Sequence, residues 1–223
     1  MAVNEQVYKE LIQELSTKQV VLVAVSKTKP VSDIQKLYDL GHRDFGENYV
    51  QELLSKQPQL PTDIRWHFIG HLQSNKVKYI APFVHLIHGV DSLNLLKEIN
   101  KQAAKHNRII NCLLQVHIAQ EETKFGLDSD ELEAILNNVG DFQNICIKGL
   151  MGMASFTEDV NKVRNEFAVL KRLFDLHTQQ QAPNIQFSIL SMGMSGDYKI
   201  AVEEGSTMVR IGSLLFGARQ YNS

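Results

Sequence analysis

The chain has 223 residues, of which 43% are hydrophobic and 22% charged, and its formal net charge is −2. A chain of this size buries enough surface to fold without disulfides or metals, and the absence of a basic block gives no indication of a nucleic-acid partner. The first ten residues include charged side chains where a signal peptide would need an apolar core. No apolar run approaches the roughly 18 residues of a membrane-spanning helix. Because Cys112 and Cys146 lie inside apolar stretches, we expect reduced thiols and a cytoplasmic protein.

Strand-like and helix-like segments alternate after a first amphipathic helix at about 3–18. The first strand is the run 20–25, which is apolar on both alternating faces, as in a parallel strand covered on each side. Ser32 or Asp33 can cap the next helix, which Gly41 ends. The later strands are predicted at 43–46, 66–70, 84–90, 109–118, 145–151, 185–190 and 207–211, and the helices at 48–56, from 74, at 92–106, 128–139, 159–179 and 199–204.

Eight strand–helix units in this length predict an α/β fold, a (β/α)8 TIM barrel with an extra N-terminal helix. No linker-like composition or repeat divides the sequence, so we expect residues 1–223 to form a single domain. An open, doubly wound sheet is the alternative, although it usually lacks eight such evenly spaced strands.

A lysine follows the first strand, at the end where barrels of this class carry their functional loops. Val23, Val25 and Lys27 share one face by the two-residue period of a strand. Partial desolvation at this position would favour a neutral amine that can attack a carbonyl, whereas the alternative is a lysine that simply extends into water. The reactive lysine is favoured because other chemically useful residues also follow predicted strands: Asn48, Gly70, His71, Lys124, and the segments that begin at Ser191 and Arg210.

Two glycine-containing, hydroxylated segments follow predicted strands seven and eight. Residues 191–197 read SMGMSGD and open a short helix, and residues 210–213 read RIGS. Glycine lets the backbone approach a ligand closely, helix N-terminal amides attract anions, and the loops after strands seven and eight are a frequent phosphate site in this fold. The alternative is that the glycines only form tight turns. We expect a phosphate site.

A lysine and a phosphate site at one barrel mouth suit a phosphorylated aldehyde held as a Schiff base, for which pyridoxal 5′-phosphate (PLP) is the obvious candidate. Arg210 would then be the neighbour of PLP that indicates which chemistry the cofactor can perform. A guanidinium does not give up a proton, so a pyridine nitrogen that faces it stays largely unprotonated and the ring is a poor electron sink. This argues against broad amino-acid chemistry, and for a restricted reaction or simple holding of the cofactor.

Six segments make the chain resemble the pyridoxal phosphate homeostasis proteins, the YggS/PROSC family, over nearly its whole length. That family resembles the barrel domain of fold-type III enzymes such as alanine racemase, without their second domain. His71 stands where many relatives have proline, and the loop 124–126 resembles a loop of that family. The segments are AVSKTKP (24–30), FGENYVQE (45–52), WHFIGHLQSNK (66–76), GLMGM (149–153), LSMGMSGD (190–197) and GSTMVRIGSLLFGAR (205–219).

The resemblance implies a PLP-binding protein of intracellular vitamin B6 and amino-acid balance, without established catalysis, that has PLP-requiring apo-enzymes as recipients. Lys27 would be the Schiff-base lysine, Asn48 would line the ring pocket, and Arg210 would face the pyridine nitrogen. The resemblance also implies a set of phosphate-binding residues, which are Ser191, Gly193, Gly212 and Ser213.

An enzyme is the alternative, namely a PLP-dependent racemase or lyase of the alanine racemase type. Racemisation needs an acid or base on each face of the substrate's α-carbon. Lys27 could serve one face, and without a second domain Tyr49 or Tyr198 would have to serve the other. A third, weaker possibility is a cofactor-free barrel that binds a simple phosphate ester. A lone barrel without a dimerising domain favours a monomer.

Two histidine pairs have short spacings, so a metal site must be considered. His67 and His71 are four residues apart, and His85 and His88 are three apart. The first pair spans a predicted strand and its loop, and the sequence places no cysteine or carboxylate cluster nearby to complete a ligand set. We therefore interpret these histidines as structural or surface residues and expect no metal site.

Overall fold

In the computed structural model, which describes residues 3–119, 126–179 and 182–217, parallel strands pair in chain order and close into a barrel when β8 pairs with β1. This confirms the predicted α/β barrel. The described strands are β1 Val21–Val25, β2 Asp44–Glu47, β3 Arg65–Phe68, β4 Leu86–Val90, β5 Ile110–Gln115, β6 Ile145–Met151, β7 Ile185–Met194 and β8 Met208–Ile211.

Helices alternate with these strands, and α1, α5, α6 and α7 begin with a side-chain cap. Ser92 accepts a hydrogen bond from Leu95 N at the start of α5, and Asp128 forms a capping box with Glu131 at the start of α6. Pro30, whose ring presets the backbone, precedes α2, so the predicted caps at 32 and 33 were wrong. The described helices are α1 Glu5–Thr17, α2 Val31–Asp39, α3 Val50–Lys56, α4 Val77–Ile80, α5 Leu93–Lys105, α6 Ser129–Asn138, α7 Val160–His177, α8 Tyr198–Glu203 and α9 Ser213–Phe216.

Strand residues alternate between two apolar layers. Val23, Leu113 and Met151 belong to a small buried cluster inside the barrel, whereas their chain neighbours pack in the larger cluster between strands and helices. Cys112 and Cys146 are buried free thiols. Of the helices described, none combines the length and apolarity needed to span a bilayer.

Strand β7 is longer than predicted, since it continues past Leu190 to Met194. Ser191 pairs with Met151 of β6, and its segment is therefore strand rather than loop. Gly193 has φ +95°, and a Cβ there would lie 2.6 Å from the Cβ of Ala201 in α8. Glycine is thus required for the close approach of β7 to α8.

Candidate functional site

A cleft of about 820 Å³ opens where the strands end, a volume within the usual range for small-molecule sites. The loops after β1, β2, β6, β7 and β8 contribute to its walls. Among the residues predicted from the sequence, the cleft brings together Lys27, Asn48, Arg210, Gly212 and Ser213.

Lys27 is half-buried in the turn that follows β1 and lines the cleft. The residues on both sides of it are held by hydrogen bonds. Ser26 is buried and its hydroxyl donates to Glu47 Oε1 over 2.7 Å. Thr28 has the left-handed φ of 62°, and its N–H donates to the carboxylate of Glu52. These contacts hold the backbone from which Lys27 extends.

A second lysine, Lys56 of α3, is buried beneath this turn. Its ammonium donates to the carbonyl of Ser26 over 2.8 Å, to Glu47 Oε1 over 2.7 Å and to Glu52 Oε1 over 2.6 Å. Burial raises the pKa of Glu47, and the nearby ammonium opposes that rise. All three ammonium protons of Lys56 have acceptors, so its role is to support the turn that carries Lys27.

Arg210 of β8 is buried and reaches the cleft from the barrel wall. Its Nη1 donates to the carbonyl and hydroxyl oxygens of Ser191 over 2.8 and 2.6 Å, and its Nη2 donates to the carbonyl of Gly152 over 3.1 Å. Burial lowers the pKa of Arg210 to about 10, which leaves it cationic at neutral pH. Of its five N–H donors, two have no acceptor among the described residues and remain for a ligand.

Ser191 and Gly193 do not line the cleft, unlike the other residues predicted to bind the cofactor. The hydroxyl of Ser191 lies inside the barrel, 3.1 Å from His88 Nδ1, and also accepts from Arg210. The reason is the length of β7, which moves the exposed part of this segment four residues further along the chain. Ser195 and Gly196 line the cleft instead, and Gly212 N donates to Ser195 Oγ over 3.3 Å.

Asn48 follows β2 at the cleft wall, and its Oδ1 is a buried acceptor without a partner among the described residues. Gly70 allows this arrangement, because a Cβ at that position would lie 2.3 Å from the carbonyl oxygen of Asn48. His71 is exposed, with 3.1 Å between its Nδ1 and Asp91 Oδ2, and does not line the cleft. Lys124 lies outside the described residues.

The predicted histidine pairs are arranged differently in space. His67 contacts His88 of the next strand, with 2.9 Å between Nδ1 and Nε2, and not His71. His85 is exposed, and its ring centroid lies 5.4 Å from that of His67. Within the described ranges, no three His, Cys, Asp or Glu side chains are grouped as metal ligands would be.

One wall of the cleft was missed by the sequence analysis. Residues 155–158, in the loop after β6, line it, and Phe156 is fully exposed there. Ser155 is buried and donates from its N–H and its hydroxyl to Glu166 of α7, over 2.6 and 2.7 Å. The only signal in the sequence was position, because this loop follows a strand as the other cleft loops do.

Comparison with known proteins identifies the family. The family model for the alanine racemase N-terminal domain matches residues 6–220. A pyridoxal phosphate homeostasis protein of Aquifex aeolicus is 43% identical over 201 residues, which are 90% of this chain and 87% of the relative.

Solved structures agree with this result. PipY of Synechococcus elongatus PCC7942 is 36% identical, and its structure without PLP has a TM-score of 0.89, covering 95% of this chain and 99% of PipY. The structure of PipY with PLP bound has a TM-score of 0.84 and covers 95% of this chain and 100% of PipY. Alanine racemase of Bartonella henselae, 20% identical with a TM-score of 0.74 over 97% of this chain and 60% of the racemase, shows the shared fold alone. The chain therefore belongs to the pyridoxal phosphate homeostasis protein family, whose barrel is the alanine racemase N-terminal domain.

Proposed function

We propose that this chain binds PLP in the cleft, covalently through Lys27, and acts in intracellular vitamin B6 and amino-acid balance by holding and releasing the cofactor. The observation that carries the proposal is one cleft that holds both Lys27 and the buried cation Arg210. It is supported by the relatives, since PipY has been solved with PLP bound at 36% identity.

The residues of the cleft fit this cofactor. PLP has an aldehyde, a ring nitrogen that accepts hydrogen bonds, a ring hydroxyl and a phosphate. Lys27 offers an amine to the aldehyde, Arg210 has N–H donors to spare for a ring acceptor, and Asn48 Oδ1 is an orphaned acceptor in the same wall. We therefore assign the ring to the space between Asn48 and Arg210.

We assign the phosphate to the loops after β7 and β8. Gly212 and Ser213 keep the role expected for them, and Ser195 and Gly196 replace Ser191 and Gly193, because the former pair lines the cleft and the latter does not. A Cβ at Gly196 would meet no atom within 4 Å, so the backbone there is open to a ligand. Hydroxyls and backbone amides of such loops are suitable donors to a phosphate.

Lys27 would hold the cofactor, which when bound would supply an aldehyde that can bond reversibly to an amine with loss of water. Arg210 keeps its proton and would leave a ring nitrogen that faces it unprotonated, so that the ring would be a poor electron sink. This combination favours reversible holding over amino-acid catalysis.

The tyrosines that a racemase would need are placed elsewhere. Tyr198 is buried in α8 and its hydroxyl lies 3.2 Å from Glu14 of α1, while Tyr49 is 56% exposed. Neither lines the cleft. Together with the names of the relatives, this supports a binding protein rather than an enzyme.

The proposal extends to the role in the cell. We propose that PLP-requiring apo-enzymes receive the cofactor and that the chain acts as a cytoplasmic monomer, with residues 1–223 as a single domain. Reversible bonding at an open barrel mouth supports transfer, because an incoming amine can reach the lysine.

The test is an absorption titration of the purified chain with PLP. A visible band should appear with wild type and with Lys105→Met, a control at the exposed end of α5, and should be absent with Lys27→Met. A band of equal strength in Lys27→Met would overturn the assignment.

A second experiment separates holding from catalysis. Alanine and serine are incubated with the loaded protein in deuterated water, and exchange of the α-proton is followed by NMR. We expect no more exchange than with Lys27→Ala. Exchange well above that control would establish an enzyme.

A further inference from the structure

A line of buried polar side chains crosses the interior of the barrel. It begins at Asp44, at the start of β2, whose carboxylate binds Arg65 at the start of β3 through two hydrogen bonds. His67 Nε2 lies 3.0 Å from Asp44 Oδ1. His67 Nδ1 in turn lies 2.9 Å from Nε2 of His88, on β4.

The line ends in the cleft described above. His88 Nδ1 lies 3.1 Å from Ser191 Oγ, which also accepts from Arg210 Nη1 over 2.6 Å. His67, His88, Ser191 and Arg210 are 1%, 0%, 0% and 4% exposed, so bulk water does not reach these contacts. We call this sequence of five residues, Asp44 to Arg210, the interior hydrogen-bond chain.

The acceptor at one end determines where the protons lie. Asp44 is buried, but hydrogen bonds from Arg65 and His67 hold its pKa well below the usual range, so the carboxylate is ionised and can only accept. His67 must therefore carry its proton on Nε2. If His67 is neutral, its Nδ1 is an acceptor, and His88 must carry its proton on Nε2.

The same order of donors and acceptors extends to the cleft. With its proton on Nε2, His88 presents a lone pair on Nδ1, which accepts the hydroxyl proton of Ser191. The lone pairs of Ser191 Oγ are then free to accept from Arg210. Every donor in the interior hydrogen-bond chain thus points away from Arg210 and toward Asp44.

A second proton on either histidine would break this order. The charge of Asp44 is already balanced by Arg65, so a cationic His67 would add an uncompensated charge to the barrel interior. Burial lowers the pKa of His88 well below its usual value, and the charge of Arg210 lowers it further. His88 is therefore neutral.

Ser191 decides the orientation of the guanidinium. Arg210 donates twice to Ser191 and once to Gly152, and these three bonds define the plane in which its remaining donors lie. Without His88, the hydroxyl proton of Ser191 would have no side-chain acceptor among the described residues. The hydroxyl would then rotate, and its lone pairs would no longer be held toward Arg210.

We propose that His88, through Ser191, is a positioning residue for Arg210, and that the interior hydrogen-bond chain directs the guanidinium toward the ring nitrogen of bound PLP. The inference rests on the proposed function, but the proton order of the chain exists without the cofactor. His67 and Asp44 support His88 in the same way from the far side of the barrel.

The first test uses PLP-free protein labelled with ¹⁵N in histidine and arginine. NMR should show His67 and His88 neutral near pH 7, each with its proton on Nε2, assigned by comparison with H67Q and H88Q. In H88F, the guanidinium signals of Arg210 should shift. A proton on Nδ1 of His88, an imidazolium at either position, or unchanged Arg210 signals would overturn the inference.

The second test is PLP titration of the same variants. H88F should bind PLP about tenfold more weakly, the equivalent of one hydrogen bond, while H88Q, whose amide can both accept and donate, should remain within about threefold of wild type. Wild-type affinity in H88F contradicts the inference alone. If wild type binds no PLP, the proposed function fails, but the NMR experiment still tests the proton order. The same experiment on wild type tests the proton order if H88F does not fold.

Discussion

Removal of the Lys56 ammonium should destabilise the protein far more than removal of a surface lysine. The Lys56 side chain is 6% exposed and that of Glu47 is 0% exposed, with 2.7 Å between Nζ and Oε1. Lys56→Met keeps most of the aliphatic chain but leaves the Glu47 carboxylate buried with Ser26 as its one side-chain donor among the described residues.

The magnitude follows from the loss of charge compensation. Breaking a buried ion pair from one side costs about 3–5 kcal/mol, which for a chain of this length lowers Tm by roughly 6–20 °C. Lys171→Met is the matched control, because its pair with Asp175 spans one turn of α7 and is half-exposed, so its loss should cost at most about 0.5 kcal/mol.

Urea denaturation gives the free energy of unfolding for each variant. The double variant Lys56→Met/Glu47→Gln should recover much of the loss, because no buried charge is left without a partner. The reasoning is refuted if Lys56→Met costs no more than Lys171→Met, or if the double variant is as unstable as the single one.

Two further predictions concern pH and backbone space. Burial lowers the pKa values of His42 and His88 in the folded protein, whereas both histidines of the unfolded chain take up protons near pH 6.5. The free energy of unfolding should therefore fall below that pH by about 1.4 kcal/mol per pH unit for each histidine, until its folded pKa is reached. Urea denaturation at about pH 7.5 and about pH 5.5 should show this fall in wild type and a smaller one in H42Q, and an equal fall in both proteins would contradict the prediction. Gly70→Ala should weaken PLP binding by at least about tenfold because its Cβ would lie 2.3 Å from the carbonyl of Asn48, while Gly140→Ala, which meets nothing within 4 Å, should bind as wild type in the same titration.

Local pattern was sufficient to predict the barrel and the position of Lys27 in the cleft. Strand periodicity puts Val23 in the barrel interior, and the same parity continues to Val25 and Lys27, which both line the cleft. The short helix α9 was missed, because four residues are too few to show a helical period.

The end of β7 and the interior hydrogen-bond chain depend on contacts that the local sequence does not show. Gly193 is a poor strand former, yet the pairing of Ser191 with β6 and β8 and of Met194 with β8 keeps this segment in the strand and turns Ser191 inward. His67 and His88 are 21 residues apart, and only the adjacency of β3 and β4 brings their rings together. Tertiary pairing therefore determines which polar residues reach the cleft and which support it from inside.

The most direct test of the central claim is borohydride reduction of the PLP-loaded protein, followed by protease digestion and mass spectrometry. Reduction makes the bond between the cofactor and its lysine permanent, so the modified peptide identifies the residue. We expect the pyridoxyl phosphate mass on Lys27. A label on Lys29, which also lines the cleft, or no label on any lysine, would contradict the proposed site.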